Sequence, residues 1–209
     1  MQLIVISSPR TVVNEENLFK VLFENGLKTL HLRKPKYSTK RLSGLIEKIP
    51  EQYHNRIVIH THHKLLLKYN LKGIHFTKKH KKRRFQTWFT LKLLKARKPH
   101  FFISTSYTKL GSVIESVKNY SYVFLSPIFD SSTSKYQAGF TEHSLKGVLE
   151  KSPHRVIARG GIEVGYIPKV LEIGFKGIAV RSDLWEADDP IGIFIQYVEK
   201  FKELGIEIE

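Results

Sequence analysis

The sequence predicts an α/β fold, a single (β/α)8 TIM barrel spanning residues 1–209, and three observations carry that expectation. Eight short runs rich in β-branched, aliphatic and aromatic residues recur at 3–7, 29–33, 56–60, 73–76, 101–104, 122–125, 155–158 and 177–180. Segments of helical periodicity separate most of them, the alternation expected of parallel strands joined by helices. The units average about 26 residues, which leaves room for a compact barrel with brief loops.

The first strand is followed by a helix over 14–25, with Asn14 as its N-cap and Glu15 and Glu16 favourably placed in the first turn. Gly26 then sits where a helix-ending glycine belongs. The stretch Asn25-Gly-Leu-Lys-Thr-Leu-His-Leu-Arg33 has an echo in Ile173-Gly-Phe-Lys-Gly-Ile-Ala-Val-Arg181, with Gly174 in the matching place. The repeating unit is helix, glycine, strand and terminal arginine. After the fourth strand, Lys78-Lys-His-Lys-Lys-Arg-Arg84 reads as a basic loop, and residues 87–97 as a helix. The spacing of Phe85, Trp88 and Phe89 predicts packing against the core.

Composition narrows the function classes. With 41% hydrophobic and 11% aromatic residues the chain has the make-up of a soluble globular protein. The absence of cysteine excludes disulfides, thiolate metal sites and cysteine nucleophiles. Residues 1–7 lack a basic leader and no apolar run approaches about 18 residues, so the expected location is the cytoplasm, away from membranes. The formal charge of +16 is uneven. Residues 52–114 contain no Asp or Glu and hold seven of the ten histidines, while the remainder of the chain is nearly balanced. An anionic partner is implied.

Two strand ends suggest where such an anion would sit. Arg155-Val-Ile-Ala-Arg-Gly-Gly-Ile162 and Lys176-Gly-Ile-Ala-Val-Arg-Ser182 each end an apolar strand in residues that expose the backbone just where a helix should begin. Consecutive barrel units place their strand ends side by side, and the last two commonly hold phosphate. Taken singly, Gly160-Gly161 is also the pattern of an ordinary tight turn.

Laid out at successive strand ends, these pieces resemble the thiamine phosphate synthase and thiazole tautomerase superfamily of small (β/α)8 barrels over nearly the full length. The matching segments are His31-Leu-Arg-Lys34, Gly73-Ile-His-Phe76, Ser104-Thr105, Ser126-Pro-Ile-Phe129 followed by Ser134-Lys135, Arg159-Gly-Gly-Ile162 and Gly177-Ile-Ala-Val-Arg-Ser182. The resemblance implies that a pyrimidine diphosphate and a thiazole phosphate are joined with release of pyrophosphate. It assigns Gly160, Gly161, Ile162, Arg181 and Ser182 to the thiazole phosphate, and Arg33 and Lys135 to the diphosphate. His31, His60, His75, Lys78, Ser104 and Ser134 are further pocket candidates, and a homodimer is an expected assembly.

The same resemblance implies Mg²⁺, but the family's acidic ligand positions are Thr61 and His80 here, inside the carboxylate-free stretch. No metal-ligand set is therefore assigned. A thiazole tautomerase is the alternative function, since it keeps the thiazole phosphate site. Its candidate histidine corresponds to Ser106, leaving His31, His60 or His75 to stand in. His60-Thr-His62-His63 is not read as a metal cluster, because His60 and His62 would share one strand face without a third ligand. A nucleic-acid surface at 78–84 is the weakest alternative.

Overall fold

Alternation along each strand decides where its side chains go, and here both faces are buried. In the computed structural model, which describes residues 1–116, 119–130 and 139–209, strands β1 (Gln2–Ile6), β2 (Thr29–Leu32), β3 (Ile57–Ile59), β4 (Gly73–Phe76), β5 (Phe102–Tyr107), β6 (Tyr122–Leu125), β7 (Val156–Arg159) and β8 (Gly177–Val180) close into a barrel in sequence order. All pairs are parallel, and β1 closes the ring by pairing with both β2 and β8. This is the (β/α)8 barrel that the sequence predicts.

Leu3, Val5, Leu30, Leu32, Ile57, Ile59, Ile74 and Val123 join the apolar layer between barrel and helices, whereas Ile4, Ile6, Tyr122, Phe124, Ile157 and Ala179 form a separate cluster within the barrel. Each fully buried aliphatic side chain contributes about 1.5–3 kcal/mol. A slip of one residue would exchange the two sets, so the register is strongly specified.

The outer layer comprises α1 (Glu15–Glu24), α2 (Thr39–Lys48), α3 (Lys78–Lys82), α4 (Arg84–Arg97), α5 (Leu110–Ile114), α6 (Glu142–Lys151), α7 (Ile167–Ile173), α8 (Ser182–Trp185) and α9 (Pro190–Glu203). Asn14 does stand at the N-cap of α1, but in a left-handed conformation and without a side-chain capping bond. That first turn is held by a buried ion pair instead, Glu15 Oε1 to Lys34 Nζ at 2.5 Å, with Lys34 also donating to the Arg10 carbonyl at 2.8 Å. Burial raises the Glu15 carboxyl above its ordinary value even beside this lysine. Gly26 and Gly174 follow α1 and α7 with φ of +99° and +103°, the left-handed turn that glycine permits.

Two expectations fail after β4. The basic run is not a loop: residues 78–82 form α3 and Arg84 opens α4. Thr77 and His80 make a reciprocal capping box, and lysine is a good helix former, so the turn is stable despite its charge. Phe85, Trp88 and Phe89 do not reach the core either, remaining 76%, 55% and 60% exposed. Leu94 is the residue of α4 that is fully buried, and the helix rotates to seat it while Phe85 and Trp88 stack on the outside. No helix among the described residues is long and apolar enough to cross a membrane.

Candidate active site

Small residues and strand-terminal arginines open the C-terminal end of the barrel into a cavity of about 1940 Å³. On one side the ends of β7 and β8 lie adjacent, with Arg159 in register with Ala179. Gly160, Gly161, Ile162, Arg181 and Ser182 all line the cavity there. The two glycines have φ of +89° and +65°. Gly161 is further constrained by crowding, because a Cβ would lie 2.4 Å from the carbonyl oxygens of Phe129 and Asp130. A glycine is required at that turn whatever it binds. Among the described residues, none accepts a hydrogen bond from the N–H of Gly160, Gly161 or Ile162.

Helix α9 braces this corner. The Tyr197 hydroxyl donates between the Ile162 carbonyl at 2.9 Å and Asp183 Oδ2 at 2.6 Å, linking the loop after β7 to α8. Sequence reasoning missed this tyrosine, which lies on an ordinary amphipathic helix and carries no motif.

Three guanidinium groups converge on the cavity. Arg33 follows β2, Arg159 ends β7 and Arg181 follows β8. The echo between residues 25–33 and 173–181 thus places Arg33 and Arg181 at equivalent positions on the two strands flanking β1. Burial, followed by the charges of Arg33 and Arg181, pushes Arg159 down to about 10. Arg33 is likewise lowered by burial and by Arg181. Among the described residues, none of the three has a carboxylate within ion-pair distance. Mutual repulsion in a half-buried site is relieved by an anion. Arg159 was not singled out from the sequence as a site residue, although its place before Gly160 was the available signal.

The opposite side is built from imidazoles. His60 and His75 line the cavity wall with their rings stacked, centroids 4.2 Å apart. His31 and Ser104 lie beneath it, fully buried, rather than lining it as expected. Both face inward, but one layer below the mouth. His31 Nδ1 is 2.9 Å from His60 Nε2, and its Nε2 is 2.5 Å from the Tyr122 hydroxyl. His75 Nδ1 meets Ser104 Oγ at 2.9 Å, and its Nε2 meets Ser106 Oγ at 3.2 Å. Burial, reinforced by neighbouring cationic groups, holds all three histidines well below their ordinary pKa, so they are neutral at pH 7.

The expected sharing of a face by His60 and His62 does not occur. Strand β3 ends at Ile59, and His62 turns left-handed, with φ of +53°, to bond Thr39 and the Tyr37 carbonyl. His60 finds its partners on neighbouring strands instead, where three imidazoles from β2, the end of β3 and β4 come together. Lys78 lines the cavity from α3. Lys135 and Ser134 lie outside the described residues.

The thiamine monophosphate synthase family model matches residues 3–184. The chain belongs to the thiamine monophosphate synthase family. A thiamine phosphate pyrophosphorylase from Bacteroides thetaiotaomicron is 30% identical, with TM-score 0.76 over 97% of this chain and 98% of that one. One from Pyrococcus furiosus shares the fold at 18% identity, with TM-score 0.76 over 97% and 96% of the two chains. At 14% identity, a (S)-3-O-geranylgeranylglyceryl phosphate synthase from Thermoplasma acidophilum shows the same fold, with TM-score 0.72 over 96% and 92%. No curated protein matches by sequence.

The Mg²⁺ that this synthase family implies does not fit the residues present. At the two acidic positions, Thr61 has a buried Oγ1 without a hydrogen-bond partner, and His80 Nδ1 is engaged by Thr77. The carboxylates that do line the cavity, Glu163, Asp183 and Glu186, follow β7 and β8, and Asp183 is held by Tyr197. Among the described residues, a hard cation that requires carboxylate oxygens has no cluster of them on the β3–β4 side.

Proposed function

We propose that this chain joins a pyrimidine methyl diphosphate to a thiazole phosphate. The observation that carries the reading is the convergence of Arg33, Arg159 and Arg181, which have no carboxylate partner among the described residues, beside amides at Gly160–Ile162 that no described residue engages. The thiazole phosphate occupies the β7–β8 side, where backbone N–H groups and Arg181 face its oxygens. The pyrimidine's diphosphate lies toward Arg33, with Lys78 above it on α3.

The bond between the pyrimidine methylene carbon and the diphosphate oxygen breaks, and both electrons leave with pyrophosphate. The thiazole ring nitrogen then donates its lone pair to that carbon, forming the new C–N bond. Guanidinium groups stabilise the charge that develops on the leaving oxygen. Because they are not exchangeable ions, the activity should withstand chelation. The test is formation of thiamine phosphate from the two substrates with and without EDTA. Equal product in both is expected, and no product under either condition rejects the reading.

A tautomerase-like proton transfer on a thiazole phosphate is the second reading, supported by one contact. His75 Nε2 lies 3.2 Å from Ser106 Oγ, so β4 delivers an imidazole to the position the resemblance assigns to a catalytic histidine on β5. Neutral at pH 7, it is a base rather than an acid. Proton exchange at the thiazole carboxylate's ring carbon, followed by NMR in heavy water, distinguishes the two.

A further inference from the structure

We propose that His31, His60 and His75 form a binding site for a divalent transition-metal ion of the Zn²⁺ class, with an open coordination position facing the cavity. One nitrogen from each ring lies within 4.8 Å of the others, and all three residues are buried. Three imidazoles and one exchangeable ligand are a recurrent set for such ions, whereas Mg²⁺ and Ca²⁺ are poorly served by nitrogen.

The strands fix this arrangement. The inward-facing position of a small barrel is normally filled by a branched aliphatic side chain, as Ile4, Ile6 and Ile157 do elsewhere in this barrel. On β2, on β4 and just past β3 the same inward positions hold imidazoles. A buried polar ring that merely filled space would cost desolvation without a gain in packing. The rings are also oriented from behind. His31 Nε2 is held by the Tyr122 hydroxyl at 2.5 Å and His75 Nδ1 by Ser104 Oγ at 2.9 Å, the outer-layer bonds that fix the tautomer of a metal-binding histidine. That leaves His31 Nδ1 and His60 Nε2 facing each other at 2.9 Å, with His75 Nε2, which meets Ser106 Oγ at 3.2 Å, as the nitrogen of that ring not held by Ser104.

In the protein without metal, His31 Nδ1 and His60 Nε2 share a hydrogen bond of 2.9 Å. An ion entering between them requires that proton to pass from His60 Nε2 to His60 Nδ1, which keeps the imidazole neutral, and rotation of the stacked His60 and His75 rings to bring their lone pairs onto the ion. Neutral ligands leave the ion's double charge uncompensated. Arg159, whose Nη1 donates to Ser106 Oγ at 3.3 Å, adds a further positive charge nearby. The open position therefore favours an anionic oxygen from the cavity, a hydroxide or a carboxylate or phosphate of a bound molecule. This site is independent of the synthase reading, since it uses none of the residues assigned to the two phosphates, and a metal on His75 Nε2 would exclude that nitrogen as the base of the tautomerase reading.

The experiment titrates tag-free, EDTA-treated and dialysed protein with Co²⁺ and Zn²⁺ alone, reading visible absorption for Co²⁺ and heat for Zn²⁺. One ion per chain, with the intense visible bands of four-coordinate nitrogen-ligated Co²⁺, is expected. Affinity should fall about 100-fold or more in His60→Gln and His75→Gln, and about 10-fold in Tyr122→Phe, which keeps every ligand but loses an orienting hydroxyl. His143→Gln, on α6 away from the barrel interior, should change nothing. Should the ligand variants misfold, the wild-type spectrum and the Tyr122→Phe shift still decide. Absence of binding, octahedral-type weak bands, or binding that survives His60→Gln in folded protein overturns the site.

Discussion

The two sides of the barrel mouth answer charge in opposite ways. The β7–β8 side presents backbone amides and guanidinium groups, and Arg159 stays charged at pH 7 although burial and its arginine neighbours push it down to about 10. The β2–β4 side uses histidines that burial has stripped of charge. The contrast arises from depth as well as residue type: Arg181 is half-buried at the rim, whereas His31 is fully enclosed beneath it. A cavity can thus be strongly cationic at one edge and a set of neutral ligands at the other. The formal charge of +16 conceals that division.

If the division holds, the largest effect falls on the arginine side. Arg181→Ala should weaken thiazole phosphate binding about 10- to 100-fold, the usual worth of a charge-assisted hydrogen bond, measured by calorimetry. Retained affinity would erase the distinction between the two sides. Next in size is Gly161→Ala, which forces a Cβ against the Phe129 and Asp130 carbonyls at positive φ and should cost about 2 kcal/mol in denaturant unfolding. A larger substitution there, such as Gly161→Asp, would conflate loop disruption with charge repulsion.

The histidine side should reveal itself through pH. In EDTA-treated protein, His31, His60 and His75 stay neutral in the native state well below the ordinary value of 6.5, while the unfolded chain takes up protons there. Stability is therefore fully present above about pH 6.5 and falls as pH drops below it, by up to about 1.4 kcal/mol per pH unit for each histidine. A midpoint of thermal unfolding that is flat from pH 7 to pH 5 would contradict the buried neutral cluster. The smallest effect expected is at His63, buried beside His80 across the cavity from the glycines. His63→Gln should leave thiazole phosphate affinity within about twofold, because separated sites act independently.

Much of the architecture was legible in the chain. Most strands were visible because the positions facing the helices, and on several strands those facing the barrel interior, are apolar, which leaves short runs of Ile, Leu and Val bounded by polar helices. The Arg33 and Arg181 echo was legible for the same reason, since both end a glycine–strand unit. The α3–α4 segment was misread because charge density says nothing about backbone conformation, and a helix of lysines satisfies its hydrogen bonds as well as any other. Phe85, Trp88 and Phe89 misled because helical spacing identifies a common face without telling which way it points.

By itself the sequence determined the barrel, the order of its strands and the residues that stand at their carboxyl ends, because local periodicity and terminal glycines are properties of neighbours along the chain. Only the tertiary structure decided that Arg159 joins Arg33 and Arg181, that Tyr197 ties two loops together, and that His31, His60 and His75 meet inside. Those residues are brought together by strand register and barrel closure, whose depth and rotation depend on contacts between elements far apart in the chain.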